Sequence, residues 1–405
     1  MINSLLKSSP LPSNERIASL DIIRGFALFG ILLANMPHFQ SPQLIADLYM
    51  YSQQLTGSDK WIRIFMDVFI ETKFFSIFSF LFGLGFYIFM KRAEEKGHRL
   101  YYLYTRRLIV LALFGILHLV FLWYGDILLN YALAGFLLIF FYKRKPKTIL
   151  VLIITFTFLL ISLLSINLFL PAEVVEQEIN QLQMEGSGKM EEAVNYYNNS
   201  SYSEWVSYRF TNEVIPILKN MPFAVITALY MFLLGLYVGK RRIISDFTSH
   251  KQLGKRVWWI SLLISIPLSV FIVLLHLGIF DFNVLNELMI QVLVMMSGLS
   301  LSLFYISTIL FLLQKEMWKK ILHPLSYVGK MALTNYIIQS LIGVGIFTGL
   351  GIYGELNLGL GIIISLILFP AQIIFSYLWL KKYRFGPLEW VWRSATYGEL
   401  QPMKK

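Results

Sequence analysis

Residues 20–39 read LDIIRGFALFGILLANMPHF. The run is long and apolar enough to cross a bilayer as one helix, yet it carries Asp21, Arg24, Asn35 and His38. An Arg or Asp at the centre of a lipid-facing helix costs about 2.5–3.5 kcal/mol on insertion scales. At 100° per residue, Asn35 lies about 20° round from Arg24, His38 about 40° the other way, and Asp21 within about 60°. The four polar groups share one face along roughly 25 Å of helix. That face is expected to meet protein or a water-filled cavity rather than lipid.

The rest of the chain follows the same pattern. Of 405 residues, 57% are hydrophobic and 15% charged, with a mean hydropathy of +0.63; a soluble chain carries about 25% charged residues. The expected fold is all-α, a polytopic membrane bundle of about ten helices. The spans fall near residues 20–38, 64–90, 108–124, 126–142, 148–170, 222–239, 257–278, 288–313, 331–349 and 359–380. The third and fourth meet at Gly125, which predicts a tight hairpin. Cysteine is absent, which excludes disulfides, thiol nucleophiles and Cys-bound metal, and no metal site is expected. No cleavable signal peptide is apparent before the first span.

The net charge of +11 would suit a nucleic-acid binder, but the basic residues sit in short loops between apolar runs. No nucleic-acid partner is expected; the bilayer is. Loops 91–107, 143–147, 240–256 and 314–330, with both termini, hold 28 of the 35 Lys and Arg. Lys60, Lys189, Arg209 and Lys219 fall on the other side. The asymmetry predicts a multi-pass cell-membrane protein with both termini cytoplasmic. Its parts are an N-terminal membrane half over 1–170, an extracytoplasmic loop over 171–221, and a C-terminal half over 222–405 with an interfacial tail. The loop is expected to be partly helical around a break at Gly186-Ser187-Gly188, and to cover a cavity mouth or serve as a plain surface excursion.

Several constellations could carry chemistry. Asp67 and Glu71 are four apart and share a helical face, suited to a cation or a proton, or solvated at an interface. Gly83 and Gly85 predict close helix packing. His118 is an intramembrane imidazole, fit for general acid–base work or for a hydrogen bond between helices. Asp126 follows Gly125 as a helix cap or as a partner for that imidazole, with Asn130 one turn later. Arg106 and Arg107, with Arg92, Arg99 and the KRKPK loop, form a basic collar for lipid headgroups or for the phosphates of a nucleotide-bearing donor. Asn335 and Gln339, like Gln291 and Gln372, are amides of the kind that bond helices together. Pro387 marks the start of a short terminal helix whose Trp390, Trp392 and Tyr397 suit a membrane interface.

Four blocks carry a resemblance: LDIIRGFALFGILLANM at 20–36, FFSIFSFLFGLGF at 74–86, GILHLVFLWYGDILLNYALAG at 115–135, and GKMALTNYIIQS with FGPLEWVWR at 329–340 and 385–393. Together they are similar to the YeiB-like family of bacterial multi-pass membrane proteins. That family in turn resembles the transmembrane acyltransferases, including heparan glucosaminide acetyltransferase and bacterial polysaccharide O-acyltransferases. The resemblance implies that a cytoplasmic acyl-CoA gives its acyl group to a hydroxyl or amine on the far side, on a saccharide or another small acceptor. No bound cofactor is implied beyond that donor. In the O-acyltransferases the first helix carries Arg, ten residues, then a catalytic His. Arg24 matches the Arg, but position 35 is Asn, so the histidine must come from elsewhere. The heparan enzyme also has Asn there, with its histidine later, in the outer loop. His38 and His118 are the candidates, and His118 belongs to the GILH block and follows Arg107 at the same spacing.

On this reading Arg24, Arg106 and Arg107 orient the donor, and His118 or His38 is the general base. Asn35 orients that imidazole or donates to the oxyanion, Asp126 fixes the tautomer, and Asp21, Asp67, Glu71, Asn130, Asn335 and Gln339 line a polar cavity. The alternative is a transporter of a small solute, since ten helices with intramembrane Asp, Glu, His and Arg also suit a proton- or ion-coupled carrier. Against it stand the missing internal repeat and the missing helix breaks. A structural or regulatory partner with an inactive site is the third reading.

Overall fold

The computed structural model describes residues 18–51, 55–97, 99–283 and 285–405; the basic amino-terminal segment lies outside them. The helices run in order as α1 (Ala18–Gln40), α2 (Gln43–Leu48), α3 (Gly57–Phe65), α4 (Lys73–Glu95), α5 (Leu100–Phe121), α6 (Leu128–Ile139), α7 (Pro146–Leu164), α8 (Ala172–Asn199) and α9 (Tyr202–Arg209). They continue as α10 (Ile215–Lys240), α11 (Lys251–His276), α12 (Leu285–Leu312), α13 (Glu316–Leu322), α14 (Leu325–Lys330), α15 (Ala332–Phe347), α16 (Leu358–Lys382) and α17 (Pro387–Tyr397). Among the described residues, eight helical runs are long and apolar enough to cross a membrane, and α6 and α15 are shorter apolar helices. Each of the ten expected spans falls on one of these. The protein is an all-α, integral membrane bundle.

α1 is the central helix. Ile23, Ala27, Leu28 and Leu32 on it are fully buried, and α4, α14, α15 and α16 pack around it. The peripheral helices α7, α11 and α16 turn bare apolar side chains outward: Phe158 is 73% exposed, Leu263 64% and Ile367 68%. Exposed chains of that kind on peripheral helices mark a lipid-facing surface. Small residues set the closest crossings. A Cβ on Gly329 would overlap the Asp21 carbonyl of α1, and one on Gly83 would overlap the Phe232 backbone of α10. Gly85, expected to pack as Gly83 does, instead faces open space.

The structure departs from the sequence expectation in three places. The second span is broken: α3 runs into a π-turn at Met66–Ile70, and Thr72 adopts a left-handed conformation at φ +65. Lys73 Nζ satisfies a carbonyl within the break, donating to the Asp67 backbone oxygen at 2.5 Å, and Thr72 Oγ1 ties the break to α12 by donating to the Val294 carbonyl at 2.9 Å. The Gly125 hairpin is wider than a single glycine, since α5 ends at Phe121 and α6 begins at Leu128. Finally, α8 passes unbroken through Gly186-Ser187-Gly188. Gly186 lies against Tyr49, and Gln183 Nε2 donates to the Met50 carbonyl at 2.9 Å. Such tertiary contacts outweigh the roughly 1 kcal/mol that a glycine costs a helix.

A chain without cysteine permits a clean test of sidedness. A single cysteine placed in loop 143–147 is expected to react with an impermeant maleimide only after the membrane is opened. One at Ser187 should react in intact cells. The reverse pattern would overturn the cytoplasmic placement of the basic loops.

Candidate functional site

A cavity of about 520 Å³ opens at the end of the bundle where α1 begins. Its walls come from α1, α4, α5, α6, the α14–α15 junction and α17, and they carry Arg24, Arg92, Arg107, Lys330 and Arg393. Asp21, Glu95 and Glu389 are the acidic groups there, and Phe78, Phe82, Phe86, Tyr104, Tyr131 and Tyr336 give it an aromatic interior. Arg24 Nη1 donates to Asp21 Oδ1 at 2.9 Å and reaches the Gly329 carbonyl at 3.4 Å. The Arg107 guanidinium stacks 3.7 Å from the centre of the Trp392 ring. Trp392 Nε1 in turn donates to the Arg107 carbonyl at 2.8 Å. Arg106 turns away and donates to the Ala395 carbonyl at 2.7 Å, near the end of α17, where a cation complements the helix dipole.

α17 is held at the cavity mouth by its own carboxylate. Glu389 accepts from the Leu333 N–H at 2.7 Å, the Thr334 N–H at 3.1 Å and Thr334 Oγ1 at 2.6 Å. It therefore caps the orphan donors at the start of α15. Burial pushes its carboxyl above the usual carboxylate range, and the bonds from Thr334 pull the other way. The GKMALTN and FGPLEWVWR blocks thus form one packed unit.

Tyr336 closes the inner end of the cavity. Its hydroxyl donates to the Gly125 carbonyl at 2.7 Å and accepts from the Ile127 N–H at 3.3 Å. Directly behind it, with ring centres 5.2 Å apart, lies His118. His118 Nδ1 is 3.0 Å from Asp126 Oδ1, and Nε2 is 2.9 Å from Ser340 Oγ. The other Asp126 oxygen accepts from the Leu129 N–H at 2.7 Å, so one carboxylate caps the first turn of α6 and holds the imidazole. An ionised carboxylate only accepts, which puts the imidazole proton on Nδ1 and leaves Nε2 to accept from the Ser340 hydroxyl. The chain is closed to solvent, the His118 and Asp126 side chains being 1% and 2% exposed.

Ser340 was not legible in the sequence as a site residue. A serine in an apolar helix ordinarily returns its hydroxyl to its own backbone, and Tyr336 O does lie 3.4 Å from Ser340 Oγ. The other expected residues are distributed as follows. His38 sits against Tyr124, whose hydroxyl lies 3.1 Å from Nδ1. The Trp123 and Tyr124 rings stand between the two imidazoles. Asn35 is half-buried and bonded to neither histidine among the described residues. Asn130 Nδ2 donates to the Asp126 carbonyl at 3.3 Å. Asn335 donates to Ser376 at 2.9 Å and Gln339 to Gln372 at 2.9 Å, an amide ladder joining α15 to α16 rather than a cavity wall. Asp67 is engaged by Arg63 at 3.1 Å and His276 at 2.8 Å. The helix break carries Glu71 away from Asp67 and into a second cavity at the far end of α1. No group of three or more His, Asp or Glu side chains among the described residues is placed to hold a metal ion.

The uncharacterized protein YxaH of Bacillus subtilis (strain 168) is 36% identical to this chain over 98% of both chains. The chain belongs to the YeiB-like family. An uncharacterized 39.9 kDa protein from the amylase 3′ region of Bacillus acidopullulyticus is 29% identical over 97% of each chain. YeiB of Escherichia coli (strain K12) is 27% identical over 94% of this chain. The family described as protein of unknown function (DUF418) matches residues 238–399, the part of this YeiB-like chain that contains Ser340 and Glu389. No solved structure matches the chain.

The two glycines of α4 offer a test of the cavity. Gly85→Leu should fill it with little loss of stability, because a Cβ there meets nothing within 4 Å. Gly83→Leu must displace the α10 backbone and should cost about 1–3 kcal/mol. Thermal unfolding of both variants in detergent measures the difference, and equal losses would show that Gly85 does not face open space.

Proposed function

We propose that the protein is a membrane acyltransferase. Its donor is an anionic acyl thioester such as acyl-CoA, entering from the basic, cytoplasmic end, and its acceptor is an extracytoplasmic hydroxyl or amine. The observation that carries this reading is the Ser340–His118–Asp126 hydrogen-bonded chain one ring behind a cation-lined, aromatic cavity. Nucleophile, base and orienting carboxylate stand in the order that activates a hydroxyl. Arg24, Arg107 and Arg393 suit the phosphates of the donor, and the aromatic interior suits its acyl part.

In the first step Ser340 Oγ attacks the thioester carbonyl while His118 Nε2 takes the hydroxyl proton. The C–S bond breaks, and the thiol leaves with that proton. In the second step His118 takes a proton from the acceptor hydroxyl or amine as it attacks the Ser340 ester, and returns it to Ser340. Asp126 holds the tautomer throughout and steadies the imidazolium. Access to Ser340 requires the Tyr336 ring to swing out of the cavity wall.

The broken helix at Glu71–Thr72 favours a second reading, a transporter of a small solute. Discontinuous spanning helices beside buried charges mark many carrier sites, and Arg63, Asp67, Lys73 and His276 gather at this break. Purified protein supplied with labelled acetyl-CoA separates the two. Acyl transfer predicts label on protein or acceptor, reduced about 10²–10⁴-fold by Ser340→Ala or Asp126→Asn while thermal unfolding stays near that of the parent. Absence of any transfer, together with donor-independent uptake into proteoliposomes, would replace the first reading by the second.

A further inference from the structure

A third cavity, of about 300 Å³, lies beside the first at the same end of the bundle. Leu20, Ile88, Arg92 and Glu95 line both, so these four side chains form the partition between them. Resting on the acyl-donor reading above, we propose that this cavity holds a second phosphate of the donor, a phosphomonoester on its nucleoside. The donor class is then a coenzyme A thioester, rather than a phosphopantetheine thioester borne on a carrier protein.

Two helix ends build the cavity. α4 supplies Tyr87, Lys91 and Arg92. α10 closes the other side, where Gly239 lacks the Cβ that would strike the Tyr87 ring at 2.6 Å. The chain then leaves α10 through a two-bond stop. The Ile243 N–H donates to the Val238 carbonyl at 3.2 Å, and the Arg242 N–H to the Gly239 carbonyl at 3.0 Å. In such a stop the residue at the place of Arg242 is left-handed and is usually glycine. Here an arginine holds φ +54, a conformation that crowds any residue with a Cβ. Its side chain lines the cavity, and its guanidinium enters no hydrogen bond or ion pair among the described residues. Cytoplasmic topology asks only for basic residues in this loop; it does not ask for one in a left-handed turn. Strain kept at a cavity wall points to a task for the side chain.

Charge and shape select the ligand. Lys91, Arg92 and Arg242 are opposed by Glu95 alone, and Lys91 reaches Glu95 only at 3.7 Å, with both chains partly exposed. The excess of two positive charges matches a phosphomonoester, which carries about −1.5 to −2 at neutral pH. A phosphodiester headgroup, with a single charge, matches it less well. Tyr87, Val238 and Ile244 add an apolar floor for the sugar and base. In the first cavity the Arg107 guanidinium is also without a hydrogen bond among the described residues. It is held between Trp392 at 3.7 Å and Phe89 at 5.4 Å, and with Arg24 it takes the phosphates nearer the thioester. A ligand with phosphates at two separated places therefore passes over Arg92 and fills both cavities. The single phosphate of a carrier protein's arm would fill the first alone.

The test uses the full chain in zwitterionic lipid nanodiscs, titrated calorimetrically with coenzyme A and with 3′-dephospho-coenzyme A. Coenzyme A is expected to bind at least tenfold more tightly. Arg242→Gly and Lys91→Gln should each bring it down towards the level of the dephospho compound and leave the latter unchanged. Arg242→Gly also relieves the left-handed strain, so it should unfold at no lower temperature than the parent while losing the preference; a purely structural arginine would not separate the two readouts. Lys320→Gln, a change to an exposed cation on α13, should keep the preference. Equal binding of the two coenzymes by the parent, or equal weakening of both in the variants, would overturn the second-phosphate site and leave the acyl-donor reading standing. Binding of neither would overturn that reading and this site with it. Nanodiscs containing phosphatidylglycerol give the last arm: the tenfold preference should persist there, and its loss would assign the cavity to a lipid headgroup instead.

Discussion

Hydrocarbon offers no water to a polar group, so every polar side chain in this bundle must be satisfied by protein or placed in a cavity. That constraint sorts the buried polar residues. Asp21 and Arg24 go to the cavity at one end of α1, Gln40 and Glu71 to the cavity at the other. Between them lie hydrogen-bonded networks. The His118 chain is one, and the α15–α16 amide ladder is another. A third pairs Arg209 with Glu213 at 2.8 Å, fully buried. Tyr197 donates to Glu213 at 2.6 Å, and Arg209 Nη2 donates to the Leu119 carbonyl at 3.0 Å. A buried pair is tolerable when its remaining donors and acceptors are met, and these bonds meet them. They also clamp α8 and α9 onto the last turn of α5, next to His118.

The stripe on α1 shows how one helical face can serve different ends. Its angular alignment follows from the α-helical period, but a helix of this length passes several neighbours. At its start the stripe faces α14, where Gly25 and Gly329 bring the backbones together and Arg24 reaches the Gly329 carbonyl. At its end it faces the α5–α6 connection, where His38 meets Tyr124. Position along the axis, rather than the angle round it, decides each partner.

The fold class and all ten apolar segments were legible in the sequence because hydropathy measures the solvent directly. Gly83 as a packing residue and Pro387 as a helix start were legible too, since each follows from backbone or steric chemistry alone. The helix break at Thr72 was not. Nothing local in IETKFF demands a left-handed threonine; the bond to Val294 on α12 does. The continuity of α8 likewise depends on Tyr49, far away in sequence. Of the His118 group, the histidine and aspartate were visible as costly polar residues near a turn. Ser340 was hidden, because a hydroxyl is cheap in a helix and its partner lies 222 residues away.

The cavity mouth and the His118 chain are tied together through α15. Glu389 binds three donors at the start of that helix, and the same α17 carries Trp392 against Arg107. Thr334 and Ser340 are six residues apart, about 9 Å along one helix, with Tyr336 between them forming the cavity wall. Helices are stiff over such a distance. A group that enters the mouth and shifts α17 must either break the Glu389 cap or move the helix that bears Tyr336 and Ser340. The cap uses three hydrogen bonds to a carboxylate, each stronger than its neutral counterpart, so motion of the whole unit is the less costly response.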